Sequence, residues 1–313
     1  MSREQILILG IVIGIVVILA IMEARGGLPK KVSKEITSAE SLQFGLENPP
    51  IWLFYNTSEV NSRHWSDFGA RSSRVINIPL LNICYETIVS KNGNKYRIEV
   101  INGLEGVAAL MGGWEALPSQ MRSNKARVSI AEEDWIRNAI LCKYGGLWLS
   151  PSVVSVREFG DLPKDTIVAF GQDDVPMYGS NTPGFQALWV PRKEDPMMVE
   201  LEARCRERLE WQNGGREVRG DSKSDWKELC SQHKTKVYHF EEGSRDARTN
   251  KKLELEDLFS SGSNLTLAPE TMYVVIPYND MLDRRVWGWV LKSSEEDLLD
   301  SDLALIRLIK SNT

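Results

Sequence analysis

A chain of 313 residues, 42% apolar and 26% charged, has the material for a folded body of one large or two small domains. A formal charge of −5 argues against a broad basic surface, so no nucleic-acid partner is expected. Cys84, Cys142, Cys205 and Cys230 lack metal-ligand spacing, and His64, His233 and His239 do not pair with them, which argues against a structural zinc site.

The first element is an unbroken Ile- and Val-rich run at residues 6–22. As a helix it is about 26 Å long, enough with flanking residues to cross a hydrocarbon core of about 30 Å. No small-residue cleavage pattern follows it, because Glu23 and Arg25 interrupt the site, so a retained anchor is expected over residues 1–24. The protein is then a single-pass membrane protein. Its side stays open: Arg25, Lys30, Lys31 and Lys34 after the span favour a cytoplasmic body, whereas the sequons at Asn56 and Asn264 matter only in a lumen.

Residues 25–50 read as a polar stalk containing Gly26-Gly27 and Pro49-Pro50. The body spans residues 51–313 and opens on a buried strand, IWLFY at 51–55. A helix over 79–90, a turn at Asn92-Gly93-Asn94 and a strand over 95–101 follow. Residues 131–156 then hold a helix, a double-glycine stop expected to form a left-handed cap at Gly145, and a strand over 147–149 ending in Ser150-Pro151-Ser152. Further strands are expected at 166–170, 186–190, 237–240 and 273–276. Helices are expected at 197–211, with Met198, Leu201, Cys205 and Leu209 on one stripe, and at 295–310. Residues 214–223 read as a polar loop. Alternating strands and helices imply an α/β fold with a mostly parallel sheet. Ten tryptophans suit both sugar sites and cores, and core packing is the expectation for most.

The pattern Ala131-x-x-Asp134-x-x-Arg137, then Gly145-Gly146 and a strand, resembles the glycosyltransferase families of capsular polysaccharide synthesis proteins, outer-chain mannosyltransferases and large clostridial glucosylating toxins. The resemblance implies a GT-A fold, a Rossmann-type mostly parallel sheet flanked by helices. It also implies a nucleotide-sugar donor and a glycan or lipid-linked acceptor. In those families an Asp-x-Asp closing the strand holds manganese or magnesium. Ser150 and Ser152 occupy both acid positions here, so the usual carboxylate ligands are absent. Retention or inversion at the sugar is not legible.

Asp134 and Arg137, three apart, share a helix face, where an acceptor beside a forked donor suits sugar hydroxyls. The plain alternative is a solvated ion pair, which Glu133 and Arg137 would serve equally. Arg284 and Arg285 in DRRVWGW are candidates to meet the diphosphate without metal, and the resemblance, whose families close a C-terminal Trp loop over the diphosphate, implies Trp287 or Trp289 in that place; an exposed Arg pair at a strand edge is the alternative. Residues 180–198 resemble the family's segment after the metal loop, which implies Asn181 as a donor or acceptor contact; the plain alternative is a turn residue in Asn-Thr-Pro-Gly. Asp173 and Asp174 form the weak alternative metal site. Asp300-Ser301-Asp302 spells an acid pair but falls in an expected helix, where its carboxylates diverge by about 200°. Loss of turnover, leaving a protein that binds carbohydrate or scaffolds an assembly, is the competing reading.

Overall fold

β1 (Pro50–Tyr55) sends its side chains alternately into two apolar layers. In this computed structural model, which describes residues 48–60, 78–123, 125–171, 185–213, 222–233, 238–240, 245–249 and 251–312, Ile51, Leu53 and Tyr55 join one buried cluster. Trp52 and Phe54 join the other. β3 (Gly146–Leu149) repeats the alternation, with Leu147 and Leu149 on the first side and Trp148 on the second. A strand buried on both faces reads as a continuous apolar run and needs helices above and below it.

With β2 (Arg97–Asn102), β5 (Val168–Phe170), β6 (Ala187–Val190) and β7 (Tyr238–Phe240), these strands form a six-stranded sheet in the order β2-β1-β3-β6-β5-β7. β1 is parallel to β2 and β3, and β5 to β7; β6 alone runs against its neighbours β3 and β5. The architecture is mixed α/β with a mostly parallel central sheet. β4 (Val153–Ser155) and β8 (Tyr273–Val275) form a separate antiparallel pair.

One face is covered by α2 (Gly103–Met111), α3 (Ile130–Tyr144), α4 (Pro196–Asn213) and α5 (Ser222–Gln232). The stripe Met198, Leu201, Cys205 and Leu209 on α4 is buried there, as expected. The other face is covered by α1 (Pro79–Asn92) and by α6 (Tyr278–Asp283), α7 (Gly288–Lys292), α8 (Glu295–Asp300) and α9 (Ala304–Asn312). Trp52, Trp135, Trp148 and Trp226 are among the largest fully buried side chains, so most described tryptophans serve packing.

The structure departs from the sequence expectations at the glycine cap, in the last helix, and at residues 222–223, which start a helix instead of ending a loop. Gly145 ends α3, but with φ 67° and ψ −162° rather than in a left-handed cap. Its carbonyl accepts from Trp52 Nε1 at 2.8 Å and its N–H donates to Leu141 O at 2.9 Å, so α3 and β1 both hold this peptide. The turn after α1 forms as expected, with the Lys95 and Tyr96 N–H groups donating to Asn92 O, and the Asn92 side chain is buried in bonds to Ile88 O, Ser155 Oγ and Phe159 N. The final helix breaks at Ser301, which is extended at φ −70° and ψ 158°. Asp300-Ser301-Asp302 therefore lies at a helix break, and Asp302 is held by Arg307 at 2.6 Å. Residues 6–22 lie outside the described residues, and among the described residues no helix is long and apolar enough to cross a membrane.

Gly146 is the tightest backbone approach that positions the site. At φ 96° a Cβ would lie 2.6 Å from Pro50 Cγ and 2.7 Å from Pro50 O. Gly146→Ala should cost roughly 2–5 kcal/mol, combining left-handed strain with overpacking. Gly112→Ala, where φ is 100° but a Cβ meets nothing within 4 Å, should cost only about 1–2 kcal/mol. Urea midpoints for the two variants decide this, and equal losses would refute the steric account.

Candidate functional site

β1, β2 and β3 are parallel, so Tyr55, Asn102 and Leu149 end on one edge of the sheet. That carboxyl edge is where open α/β sheets bind ligands. The chain reaches it again through α3. Ser129 caps this helix, accepting from the Glu132 N–H, while the Glu132 carboxylate accepts from the Ser129 N–H at 2.8 Å. α3 then runs away from the edge, reverses at Gly145-Gly146 and returns as β3. Arg137 and Asp134 lie about 10–15 Å above the reversal by helical rise, and Ser150 about 13 Å above it by strand rise. The two groups are delivered to the same level.

Asp134 and Arg137 differ in burial. The Arg137 side chain is 5% exposed and that of Asp134 21%, with Nη2 to Oδ1 at 2.8 Å. Nη2 is thus held by the Asp134 carboxylate, while Nε of Arg137 is buried with no hydrogen-bond partner among the described residues. Nε and Nη2 form one edge of the guanidinium fork, the geometry that grips two oxygens at once. The plane is supported from below by Phe185, whose ring centroid is 4.2 Å from the guanidinium carbon.

Phe185 also links Arg137 to the serine turn. It holds φ at 55°, a left-handed conformation that a bulky side chain adopts only when its surroundings impose it. Its ring meets Trp226 of α5 edge-on at 5.5 Å, and the next carbonyl, of Gln186, accepts from the Ser150 N–H at 2.7 Å. On the far side the Ser152 carbonyl accepts from the Ile276 N–H at 2.8 Å. Ser150 Oγ and Ser152 Oγ are 3.2 Å apart and bonded to each other. Two neutral hydroxyls engaged with one another do not fit magnesium or manganese, which favour anionic oxygen. Among the described residues no cluster of three or more His, Cys, Asp or Glu side chains could hold a metal ion.

Other sequence candidates fall elsewhere or outside view. Arg284 is exposed and paired with Glu256, with its guanidinium 5.7 Å from the Trp287 ring. Trp287 is 8% exposed and packs on Phe259 at 5.6 Å, a core position. Arg285 and Trp289 are exposed. Asn181, Asp173 and Asp174 lie outside the described residues. Sequence reasoning missed Phe185, whose backbone strain has no sequence signal. It also placed Lys223 in a loop, although Ser222-Lys223-Ser224-Asp225 has the serine and acid spacing of a helix start.

No protein-family model matches the chain, and no curated protein matches it. Among solved structures, a PaToxG glycosyltransferase is similar with a TM-score of 0.37 and 14% sequence identity, over 59% of this chain and 69% of that one. A likeness of that degree leaves the chemistry to be argued from this chain's own residues.

The edge also carries a buried acid. Glu59, in the turn Thr57–Val60 after β1, accepts from the Asn56 N–H at 2.9 Å, while Asn56 Oδ1 accepts from the Val128 N–H at 2.8 Å. Burial pushes the Glu59 carboxyl up from 4.5 to about 7, against the Asn56 N–H bond and the Arg127 charge, with Glu133 adding to the rise. Because the folded value lies above the unfolded one, the stabilisation is full below about 4.5 and is lost as pH rises through about 7. Wild-type unfolding free energy should therefore fall between pH 5 and 8 relative to Glu59→Gln, by at most about 3 kcal/mol. Parallel pH profiles for the two proteins would contradict this.

Proposed function

We propose that the carboxyl edge of this sheet holds a nucleotide-sugar donor in a GT-A-like site. The protein transfers the sugar to a glycan or lipid-linked acceptor beside a membrane to which residues 6–22 anchor it. The observation that carries this reading is the buried Arg137 guanidinium, stacked on Phe185 and paired with Asp134 at 2.8 Å through Nη2, with Nε unpaired among the described residues. A buried cation with incomplete hydrogen bonding is costly for a fold, and a bound ligand that supplies further oxygens offsets the cost.

In this reading Asp134 accepts from sugar hydroxyls and Arg137 donates to ring or hydroxyl oxygens, so the pair reads both senses of a polyol. Ser150 and Ser152 donate to phosphate oxygens instead of ligating a metal. Their hydroxyl–hydroxyl bond is weak enough to exchange for a charge-assisted one. Sugar transfer releases a nucleoside diphosphate, whose developing charge is met by preorganised donors and cations. A second reading, a binder that does not turn its ligand over, is favoured by the same serine turn, which supports binding without the electrophilic strength of a metal.

The test is turnover of a nucleotide-sugar panel by the full chain, in EDTA and with manganese. Asp134→Ala and Arg137→Ala should each lower turnover about 100-fold or more, the size seen when one preorganised donor is removed. Saturable binding without turnover would select the second reading. Failure to bind any member of the panel would overturn both.

A further inference from the structure

Hydrogen bonds close a ring of chain segments around the end of β1. Trp52 is level with Trp148 across the parallel pair, so by strand rise Tyr55 stands level with Pro151, in the middle of the serine turn. The Ser152 carbonyl accepts from the Ile276 N–H at 2.8 Å, and Tyr278 and Asn279 follow at the start of α6. Asn279 Oδ1 accepts from the Arg127 guanidinium. The Arg127 segment returns to the end of β1 through two bonds, Val128 N–H to Asn56 Oδ1 at 2.8 Å and Ser58 Oγ to Ala126 O at 3.3 Å. The Asn56 N–H in turn holds the Glu59 carboxylate at 2.9 Å.

This ring encloses polar groups that the fold leaves unused. The hydroxyls of Tyr55 and Tyr278 and Oδ1 of Asn102 are buried with no hydrogen-bond partner among the described residues. Asn102 is the register partner of Tyr55 on β2, and Tyr55 and Tyr278 join the same buried cluster, so all three lie on one side of the sheet edge. Buried groups of this kind are completed by oxygens from elsewhere. Glu59, also buried, keeps acceptor positions beyond the one that Asn56 fills. Facing it are Tyr55 of β1, Arg127, Glu133 of α3 and Tyr278 of α6, while Cys84 of α1 faces both phenols. Burial above all raises the two phenols, so they stay protonated, and it sets the Glu59 carboxyl at about 7. Strand spacing and rise put that carboxylate within roughly 10 Å of the serine hydroxyls, the reach of a phosphate and one sugar ring.

We infer that Glu59 is the general base of the transfer, taking the proton of the attacking hydroxyl in a pocket walled by the unpaired phenols of Tyr55 and Tyr278. This deepens the transferase reading and rests on it, with the sugar still at Asp134 and Arg137 and the phosphates at Ser150 and Ser152. The acceptor O–H bond breaks, its proton passes to the Glu59 carboxylate, and the oxygen bonds to the anomeric carbon. The bond from that carbon to the phosphate oxygen breaks, and its electron pair leaves on the nucleoside diphosphate. Water in the acceptor's place gives hydrolysis by the same step. A base works best when its proton affinity matches the working pH. The ionisation that weakens the fold as pH rises is therefore the one that the reaction needs.

The experiment follows nucleoside diphosphate release from the nucleotide-sugar panel in water, by the full chain in detergent and EDTA, from pH 5 to 9. Wild-type kcat/KM should rise with pH through about 7, because the base acts only when ionised. Glu59→Gln should lower kcat about 100-fold or more and erase that rise, with nucleotide-sugar affinity held within about threefold. Glutamine keeps the shape of the buried neutral acid, so this variant folds. Glu59→Asp restores a carboxylate and should restore part of the rate together with the rise. A rise that survives in Glu59→Gln overturns the assignment, and so does a wild type that binds the panel without turnover. Loss of sugar-nucleotide binding in Glu59→Gln that Glu59→Asp leaves unrepaired shows a structural role and also overturns it. Turnover that needs Glu59 but survives Asp134→Ala and Arg137→Ala would sink the donor site alone. Turnover that needs Arg137 and is indifferent to Glu59→Gln would sink the base alone.

Discussion

The arrangement depends on one backbone constraint, the reversal at Gly145-Gly146. α3 must turn directly into β3 beneath Pro50 and beside Val190, in a space where a Cβ on Gly146 would lie 2.6 Å from Pro50 Cγ. Because the reversal takes only two residues, helix and strand leave it at nearly the same height. Their rises of about 1.5 and 3.3 Å per residue bring the second turn of α3 level with the residue just after β3. A longer connection would let the two slide past each other. Here Arg137 and Ser150 reach one edge as a consequence of chain geometry, before any side chain makes a contact.

The side chains add a requirement of their own. Arg137 lies in a layer built for apolar packing, among Trp135, Ile136 and Ala139. Desolvating a guanidinium costs several kcal/mol, and a single ion pair with incomplete hydrogen bonding offsets only part of that. Phe185 contributes a cation–π contact at 4.2 Å and accepts a strained φ to do so. Two departures from ordinary stability thus converge on one group. Strain and unpaired buried donors cluster where a fold is held in shape for a ligand, which is the physical reason for reading this edge as a site.

Much of the fold was legible because its signals are local and strong. The apolar run at 51–55, the stripe Met198-Leu201-Cys205-Leu209 and the double glycine each reflect a period or a steric need that one stretch of chain carries alone. What escaped depends on distant residues. Ser301 breaks the last helix although the sequence around it is rich in helix-forming residues, and the break lets Ser261 pair with Leu303. Asn92 opens the turn its sequence suggests, but its side-chain bonds to Ser155 and Phe159 depend on residues over sixty positions away. The site divides in the same way. Asp134, Arg137 and the serine turn carry a spacing pattern, whereas Phe185 and Glu59 enter through contacts that no single stretch of sequence contains. Trp287 shows the converse. The family resemblance suggests a closing indole there, but Trp287 packs on Phe259 in the core.

The central claim is that Arg137 and the Ser150–Ser152 turn face one ligand. An experimental structure of the full chain with a bound nucleotide sugar tests it most directly. The account predicts sugar oxygens within about 3 Å of Arg137 Nε or Nη2 and phosphate oxygens at the serine hydroxyls. A ligand bound elsewhere, with Arg137 still enclosed and untouched, would contradict it.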